Sequence, residues 1–387
     1  MTFRVLLLMV CVLSCPSVDA EPTDPSDGLK VATFNVSLYG SRAGEIKDRL
    51  SDGRDDQAEK IAAIVQTVRP DVLLVNEVDF EADGAVAEQL AEAFFAVGRD
   101  GRVGIEYPHV LSIPSNTGLE SGMDLNHNGK SGEPNDAWGY GAYPGQYAMA
   151  IFSRFPIVEN ETRTFQRFLW KDLPNALVPT HPKTGVEYYG KDWKRLRLSS
   201  KNHVDVSIDV NGQTVHVLAS HPTPPVFDGP EDHNGCRNHD EIQFWNHYID
   251  EEMSGELVDD AGRRGGLSVA DRFVIMGDLN ADPDFGDGRR DAIRRLLAHP
   301  RTIDAKPRRQ GVQADGKLGQ VQNSLATADF GRNGLMRVDY VLPSANLSVR
   351  DSGVFWPAAG GQDPDQARVW ITATDHRLVW VELGLMP

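Results

Sequence analysis

Short apolar runs alternate with amphipathic stretches along the chain, and long polar segments interrupt them. Runs rich in Val, Ile, Leu and Phe predict strands over residues 29–36, 71–76, 147–152, 204–210, 214–220, 273–276, 337–342 and 376–383. Helical spacing of apolar positions predicts helices over 56–68, 85–95, 241–252 and 290–297. Asn238 with Glu241 three residues later reads as a capping box opening the third of these. Segments rich in Gly and Pro at 113–145, 222–235 and 305–319 read as insertions, because core-like strands resume after each. No internal repeat interrupts this order. The economical reading is a single α/β domain over 29–387 behind a short tail, 21–28.

The N-terminus sets the expected compartment. Arg4 precedes an apolar run from Val5 to Leu13 and then Val18-Asp19-Ala20, which reads as a signal peptide, 1–20, cut after Ala20. An exported chain, secreted or periplasmic, is expected. Its apolar run is too short to span a bilayer, and no later segment comes close, so no transmembrane segment is expected. Cys11 and Cys15 would leave with the leader; the mature chain would keep Cys236 and form no internal disulfide. Anchoring through a lipid on Cys15 is the alternative, since Val12-Leu13-Ser14-Cys15 loosely matches a lipoprotein cleavage box. With 387 residues, 40% hydrophobic and 25% charged, the composition excludes a disordered or fibrous protein. The net charge of −17 gives no general surface for polyanions, although a local basic rim is compatible with it.

Candidate chemistry collects where apolar strands run out. The run Phe273-Val-Ile-Met-Gly-Asp-Leu-Asn280 ends in Asp278 and Asn280, which at i and i+2 of a continuing strand would project to one side. Such a pair suits a site where a carboxylate takes a proton from water while an amide donates to a substrate oxygen. The plainer alternative is a turn. Similar run-outs place Asn35, Glu77 and His221, each of which has a structural reading as turn residue, helix-capping acid or core histidine. Near the C-terminus, Arg337-Val-Asp339-Tyr340 puts an acid on a strand and Thr374-Asp375-His376 supplies an Asp-His pair, a recurrent way to hold an imidazolium against an anion.

Taken in order, Asn35, Glu77, His221, Gly277-Asp278-x-Asn280, Val338-Asp339-Tyr340 and Asp375-His376 resemble the endonuclease/exonuclease/phosphatase superfamily, relatives of deoxyribonuclease I, over about residues 29–383. The resemblance implies a four-layer α/β sandwich: two mixed β-sheets packed face to face, helices on both outer faces, and long loop insertions. It implies phosphoester hydrolysis with Mg²⁺ or Mn²⁺. In that reading Glu77, helped by Asn35 and Asp375, holds the metal; Asp278 orients or deprotonates water; and Asn280 grips a phosphate oxygen. His376, paired with Asp339, stabilises charge building on phosphorus, with His221 beside the scissile phosphate. A hard, oxygen-liganded cation and one or two imidazoles are what an anionic ester needs against an anionic nucleophile. No zinc-type Cys/His spacing, Walker loop or nucleophile elbow competes with this reading.

Some positions depart from the superfamily. Asp79 stands where related nucleases often carry a base, and an acid there would repel phosphates. Gln146 stands where the secreted deoxyribonuclease has an acid supporting its catalytic histidine, and Asn76 where Gln is more common. The best basic cluster, Lys191 to Arg197, reads more simply as a solvated strand end. A second ion site is suggested by Asp124, Asn126 and Asn128 at positions 1, 3 and 5 of an EF-hand-like loop, Gly129 at 6 and Lys130 at 7, with Glu133 or Asp136 as closing acid because Asn135 holds position 12. A hydrated polar loop fits the same residues. The function expected is a metal-dependent phosphoesterase that prefers a small phosphoester or headgroup, with structural Ca²⁺ at the loop and no protein partner inferred. The alternatives are an extracellular nuclease acting on DNA or RNA and a catalytically idle binding module; the latter is disfavoured because every expected catalytic position is filled.

Overall fold

The computed structural model describes residues 28–309, 324–357 and 364–385. The expected leader with Cys15, the tail before Gly28 and much of the 305–319 segment lie outside the described residues. In chain order the strands are β1 (Leu29–Leu38), β2 (Val72–Val78), β3 (His109–Ile113), β4 (Ala148–Ser153), β5 (Arg163–Thr164), β6 (His203–Val210), β7 (Gln213–Ser220), β8 (Phe273–Asp278), β9 (Ala328–Asp329), β10 (Leu335–Met336), β11 (Asp339–Pro343), β12 (Ser348–Val354) and β13 (Val379–Gly384). The helices are α1 (Glu45–Leu50), α2 (Asp56–Val68), α3 (Ala85–Gln89), α4 (His233–Tyr248), α5 (Asp291–Leu297) and α6 (Pro364–Trp370).

Six strands form one sheet in the order β12-β13-β1-β2-β4-β3, and five form another, β11-β8-β7-β6-β5. Both are mixed: β1–β2 and β7–β8 are parallel, and the other pairs in these sheets are antiparallel. The continuous apolar runs are explained by burial on both faces. In β2, Val72 and Leu74 join the cluster between the sheets, while Leu73 and Val75 face the helical layer. In β8, Val274 and Met276 point between the sheets, while Phe273 and Ile275 pack with Trp245, Tyr248 and Ile293 of α4 and α5. Three apolar layers thus separate helix, sheet, sheet and helix, the expected four-layer sandwich.

Helix α2 has the expected limits because its ends are chemically marked. Asp55 accepts from the Ala58 amide at 2.9 Å, and Arg69 closes the helix in a left-handed conformation just before Pro70. The expected helix over 85–95 begins as α3 and continues as a π-helical turn over Leu90–Phe95. The third helix departs from expectation, running from His233 to Tyr248 rather than 241–252. Asn238 is an interior residue and no cap. The start of α4 is instead held by Asp228, whose carboxylate accepts from the Asn234 and Gly235 amides at 2.8 and 3.3 Å.

Candidate active site

Parallel pairing brings the C-terminal ends of β1 and β2 together in one sheet, and those of β7 and β8 together in the other. Asn35 pairs in register with Asn76; the ladder then slips, and its next pair is Leu38 with Val78. Glu77 occupies the slip with a left-handed backbone, φ 58°. The bulge takes its side chain out of strand alternation, so that Glu77 Oε1 accepts from Asn35 Nδ2 at 3.0 Å. In the second sheet Gly277, φ 151°, precedes Asp278, and a Cβ there would lie 1.9 Å from the Ser220 carbonyl. This close approach sets Asp278 beside His221, the residue after β7.

Asp278 sits at the centre of the resulting cluster. Its Oδ2 lies 3.0 Å from Asn35 Nδ2, 3.5 Å from His221 Nε2 and 3.7 Å from His376 Nε2. Asp339 faces Asp278 in the β11–β8 register, and its Oδ2 is 2.9 Å from His376 Nδ1. Asp278, Asp339, His221 and His376 are all buried. Burial pushes the Asp278 carboxyl up, against the pull of His376 and of hydrogen bonds from the Asn280 amide and Asn35. Burial disfavours the His376 cation, but Asp339 and then Asp278 outweigh it and raise its pKa to about 10. His221 is driven the other way by burial, Lys201 and His376, and neither of its ring nitrogens has a hydrogen-bond partner. One imidazole is therefore a held cation and the other is neutral.

The remaining expected residues lie close by. Strand β8 ends at Asp278, so the alternation argument does not apply to Asn280; its left-handed backbone, φ 51°, folds its amide onto Asp278 Oδ1 at 2.9 Å. The turn reading was right for the backbone, yet Asn280 and Asp278 both line the same cleft. Asn280 Nδ2 donates to the Pro222 carbonyl at 3.1 Å. Asp375 Oδ1 is 4.0 Å from His376 Nε2, and its carboxylate is half-exposed. Strands begin later than expected at the C-terminal motifs, with Asp339 opening β11 and Val379 opening β13.

The expectation that Asp79 presents an acid to phosphates needs correction, whereas Gln146 behaves as the loss of a supporting acid implied. Asp79 is buried, accepting from the Tyr143 hydroxyl at 2.7 Å and the Gly40 amide at 3.2 Å, so it presents no acid to substrate phosphates. Burial raises its pKa to about 6. Gln146 donates to the Gly40 carbonyl and accepts from the Ala142 amide, taking no part in supporting His221.

Sequence reasoning missed the clamp behind the site. Asn238 Nδ2 donates to the carbonyls of Thr223 and Leu279 at 2.9 and 3.0 Å, tying the segment after His221 to the segment after Asp278. Glu241 accepts from the Ser200 amide and hydroxyl and from the Thr223 amide. The i, i+3 spacing read as a cap thus serves a tertiary clamp. Buried Lys201, another unexpected member, has its ammonium disfavoured by burial and drawn back by Glu241, Glu77 and Asp278.

Among the described residues, two groups of side chains could hold a cation: Glu77, His221 and Asp278; and Asp278, Asp339 and His376. The second is ill suited, because a protonated imidazole offers no lone pair and His376 Nδ1 is engaged by Asp339. The oxygens of Glu77 and Asp278 suit a hard cation such as Mg²⁺ or Mn²⁺. Asn35 presents its amide nitrogen to both carboxylates while its Oδ1 accepts from the Ser37 amide at 3.1 Å. Service as an oxygen ligand would require the amide to turn over. The EF-hand-like loop is folded on itself, with Asp124 accepting from the Asn128 and Gly129 amides and Asp136 from those of Leu125 and Glu133.

A cleft of about 1000 Å³ opens over this cluster. Glu77, Asp278, Asn280, Asp375 and His376 line one part of it. An isolated buried mixture of acids and imidazoles would be a costly core, whereas here it meets an open cleft, the setting of a candidate functional site.

A model of the endonuclease/exonuclease/phosphatase family matches residues 32–376, and the chain belongs to that family. Its enzymes are generally metal-dependent phosphoester hydrolases and commonly use Mg²⁺. Among solved structures, a family protein from Beutenbergia cavernae is similar at 19% identity and TM-score 0.50, covering 93% of this chain and 72% of that one. A family protein from Leptotrichia buccalis is similar at 16% identity and TM-score 0.49, covering 92% of this chain and 100% of that one. Sphingomyelinase C from Streptomyces griseocarneus is similar at 17% identity and TM-score 0.46, covering 92% of this chain and 99% of that one. Comparison with curated protein sequences returns no match. No described helix is long and apolar enough to cross a membrane.

Proposed function

We propose that this chain is an exported phosphoesterase that uses Mg²⁺ or Mn²⁺ to hydrolyse a small phosphoester or headgroup, through a single domain over 29–387 released from a leader at 1–20. The observation that carries the proposal is the placement of Asp278 Oδ2, 3.0 Å from Asn35 Nδ2 and 3.7 Å from His376 Nε2, at the floor of an open cleft. Glu77, with Asn35 and Asp375, would hold the metal, which when bound supplies positive charge against the phosphate oxygens. The excess of the carboxylates of Glu77, Asp278, Asp339 and Asp375 over the His376 cation is what a dication would offset. Asp278, its basicity raised by burial, takes a proton from the attacking water. His376 donates from Nε2 to a phosphate oxygen as charge accumulates there, and Asp339 fixes the ring through Nδ1. Asn280 retains one amide hydrogen for a second oxygen after satisfying Pro222. Neutral His221, outside the cleft's lining with Nε2 3.5 Å from Asp278 Oδ2, would have to approach the leaving oxygen from beside Asp278.

The net charge of −17 supports a compact substrate over a nucleic-acid track. A panel of DNA, RNA, phospholipids, inositol phosphates and nitrophenyl phosphate esters, assayed with Mg²⁺ or Mn²⁺ and again with excess chelator, tests the reading. Turnover of a small ester that the chelator abolishes is expected. Absence of turnover across the panel would leave a binding module, and preference for DNA or RNA would restore the nuclease. The loop at Asp124, Asn126, Asn128, Lys130, Glu133 and Asp136 is proposed to bind Ca²⁺ for structure, supported by its hard oxygen donors.

A further inference from the structure

The cleft's lining is chemically mixed. Beside the carboxylates and His376 it includes Pro224, Val226, Phe227, Phe285, Leu335 and Met336. Phe227 is 92% exposed and holds a left-handed backbone, φ 65°, a costly combination for a bulky apolar residue. Its neighbours are pinned: Asn234 Nδ2 donates to the Val226 carbonyl at 2.7 Å, and Asp228 holds the amides that open α4. The residues on both sides of Phe227 are thus held, and its exposed ring is part of the cleft's lining. Gly288 lets its loop pack directly against this segment: a Cβ there would stand 2.9 Å from Pro225 Cγ. Among the described lining residues the cationic side chains are His376 and Arg289, and Arg289 is engaged by Asp232 at 2.7 Å. The lining adds the acids Asp282 and Asp287. This lining has no charge complementarity for a second or third phosphate.

We propose that the substrate carries a single phosphoester and a substantial apolar organic group, which lies against the Pro224–Phe227, Phe285 and Met336 wall while the phosphate meets Asp278 and His376. The inference rests on the phosphoester hydrolysis proposed above and specifies what is esterified. Water adds its oxygen to phosphorus, the bond from phosphorus to the leaving oxygen breaks with its electron pair, and one water proton passes to Asp278.

The test is a series differing in chain length alone: methyl, butyl, hexyl and octyl esters of 4-nitrophenyl phosphate, and the matching alkyl phosphate monoesters, all below micellar concentration with Mg²⁺. The expected kcat/KM rises about two- to fourfold per added methylene until the wall is covered. Phe227→Ser, at a surface position where folding is not at stake, is expected to reduce the octyl-to-methyl ratio at least about threefold. Equal turnover across the series, or a ratio unchanged by Phe227→Ser, would overturn the inference while leaving the phosphoesterase standing. Absence of turnover of every ester would overturn the phosphoesterase itself. Calorimetric titration with methylphosphonate and octylphosphonate then reads the wall independently: tighter binding of the octyl compound supports it, and equal affinity rejects it. Presenting the octyl ester as monomer and within phosphatidylcholine vesicles separates a solution source from a bilayer source; cleavage of either above the methyl ester supports the inference.

Discussion

His376 Nδ1 lies 2.9 Å from Asp339 Oδ2, with both side chains buried. A cation held above the ordinary imidazole value contributes fully below about pH 6.5 and loses its contribution as pH rises through about 10. Asp339→Asn removes the nearest anion, so the alkaline loss of kcat should move to lower pH by about 1–3 units. The pH-rate profile of the variant against wild type measures this; superimposed profiles would exclude Asp339 as the partner.

Metal holding and proton transfer are assigned to different carboxylates, and both should be indispensable. Asp278→Asn and Glu77→Ala are each expected to lower kcat by at least about a hundredfold at saturating Mg²⁺. Circular dichroism melts beside the rates should show retained folding. Near-normal turnover in either variant would sink the assignment.

The clamp from Asn238 gives a different signature, because this residue is outside the cleft's lining and touches it only through the Asn280 backbone carbonyl. Asn238→Ala strands the carbonyls of Thr223 and Leu279 and should cost about 1–3 kcal/mol of stability in denaturant unfolding. Turnover should fall with the pH profile unmoved, since the groups that titrate are untouched. A shifted profile would mean that Asn238 acts on their charge.

Calcium should raise the melting temperature through preferential binding to the folded chain. Asp124→Ala should remove that rise. Calorimetry of the wild-type protein at millimolar Ca²⁺ provides the check, and no uptake of heat or ion would dismiss the loop as a site.

A nuclease draws affinity from successive phosphates, so its kcat/KM falls steeply with salt. Weak salt dependence on a small phosphodiester or inositol phosphate is expected here, with poor nicking of plasmid DNA. Efficient nicking that collapses between low and physiological salt would reverse that expectation.

Much of this architecture was readable before the fold was seen, for identifiable reasons. Strands β2 and β8 announce themselves because both faces are buried, leaving unbroken apolar runs. Strands β3 and β12 were missed because they are the two edges of the six-stranded sheet, where partial exposure admits polar residues and blurs the pattern. Residues at strand ends could be nominated from local order, as Asn35, Glu77, His221 and Asp278 were. The Asn238–Glu241 clamp could not, since its partners at Thr223 and Leu279 belong to other segments, and local capping chemistry offered a complete but incorrect account. Asp79 misled for the same reason: its charge was visible, whereas its burial under Tyr143 was not.

Strand β13, the last of the described strands, sits inside its sheet between β12 and β1. Asn35 must meet Asp278 across a sequence separation of 243, and His376, which meets Asp339, lies just ahead of the strand that pairs with β1. During vectorial synthesis the first strand therefore waits for residues 379–384 before its ladder is filled. A nascent or C-terminally nicked chain would hold most of the apolar layers but neither a closed sheet nor the His376 cation. The cluster around Asp278 should therefore assemble only once β13 has paired with β1.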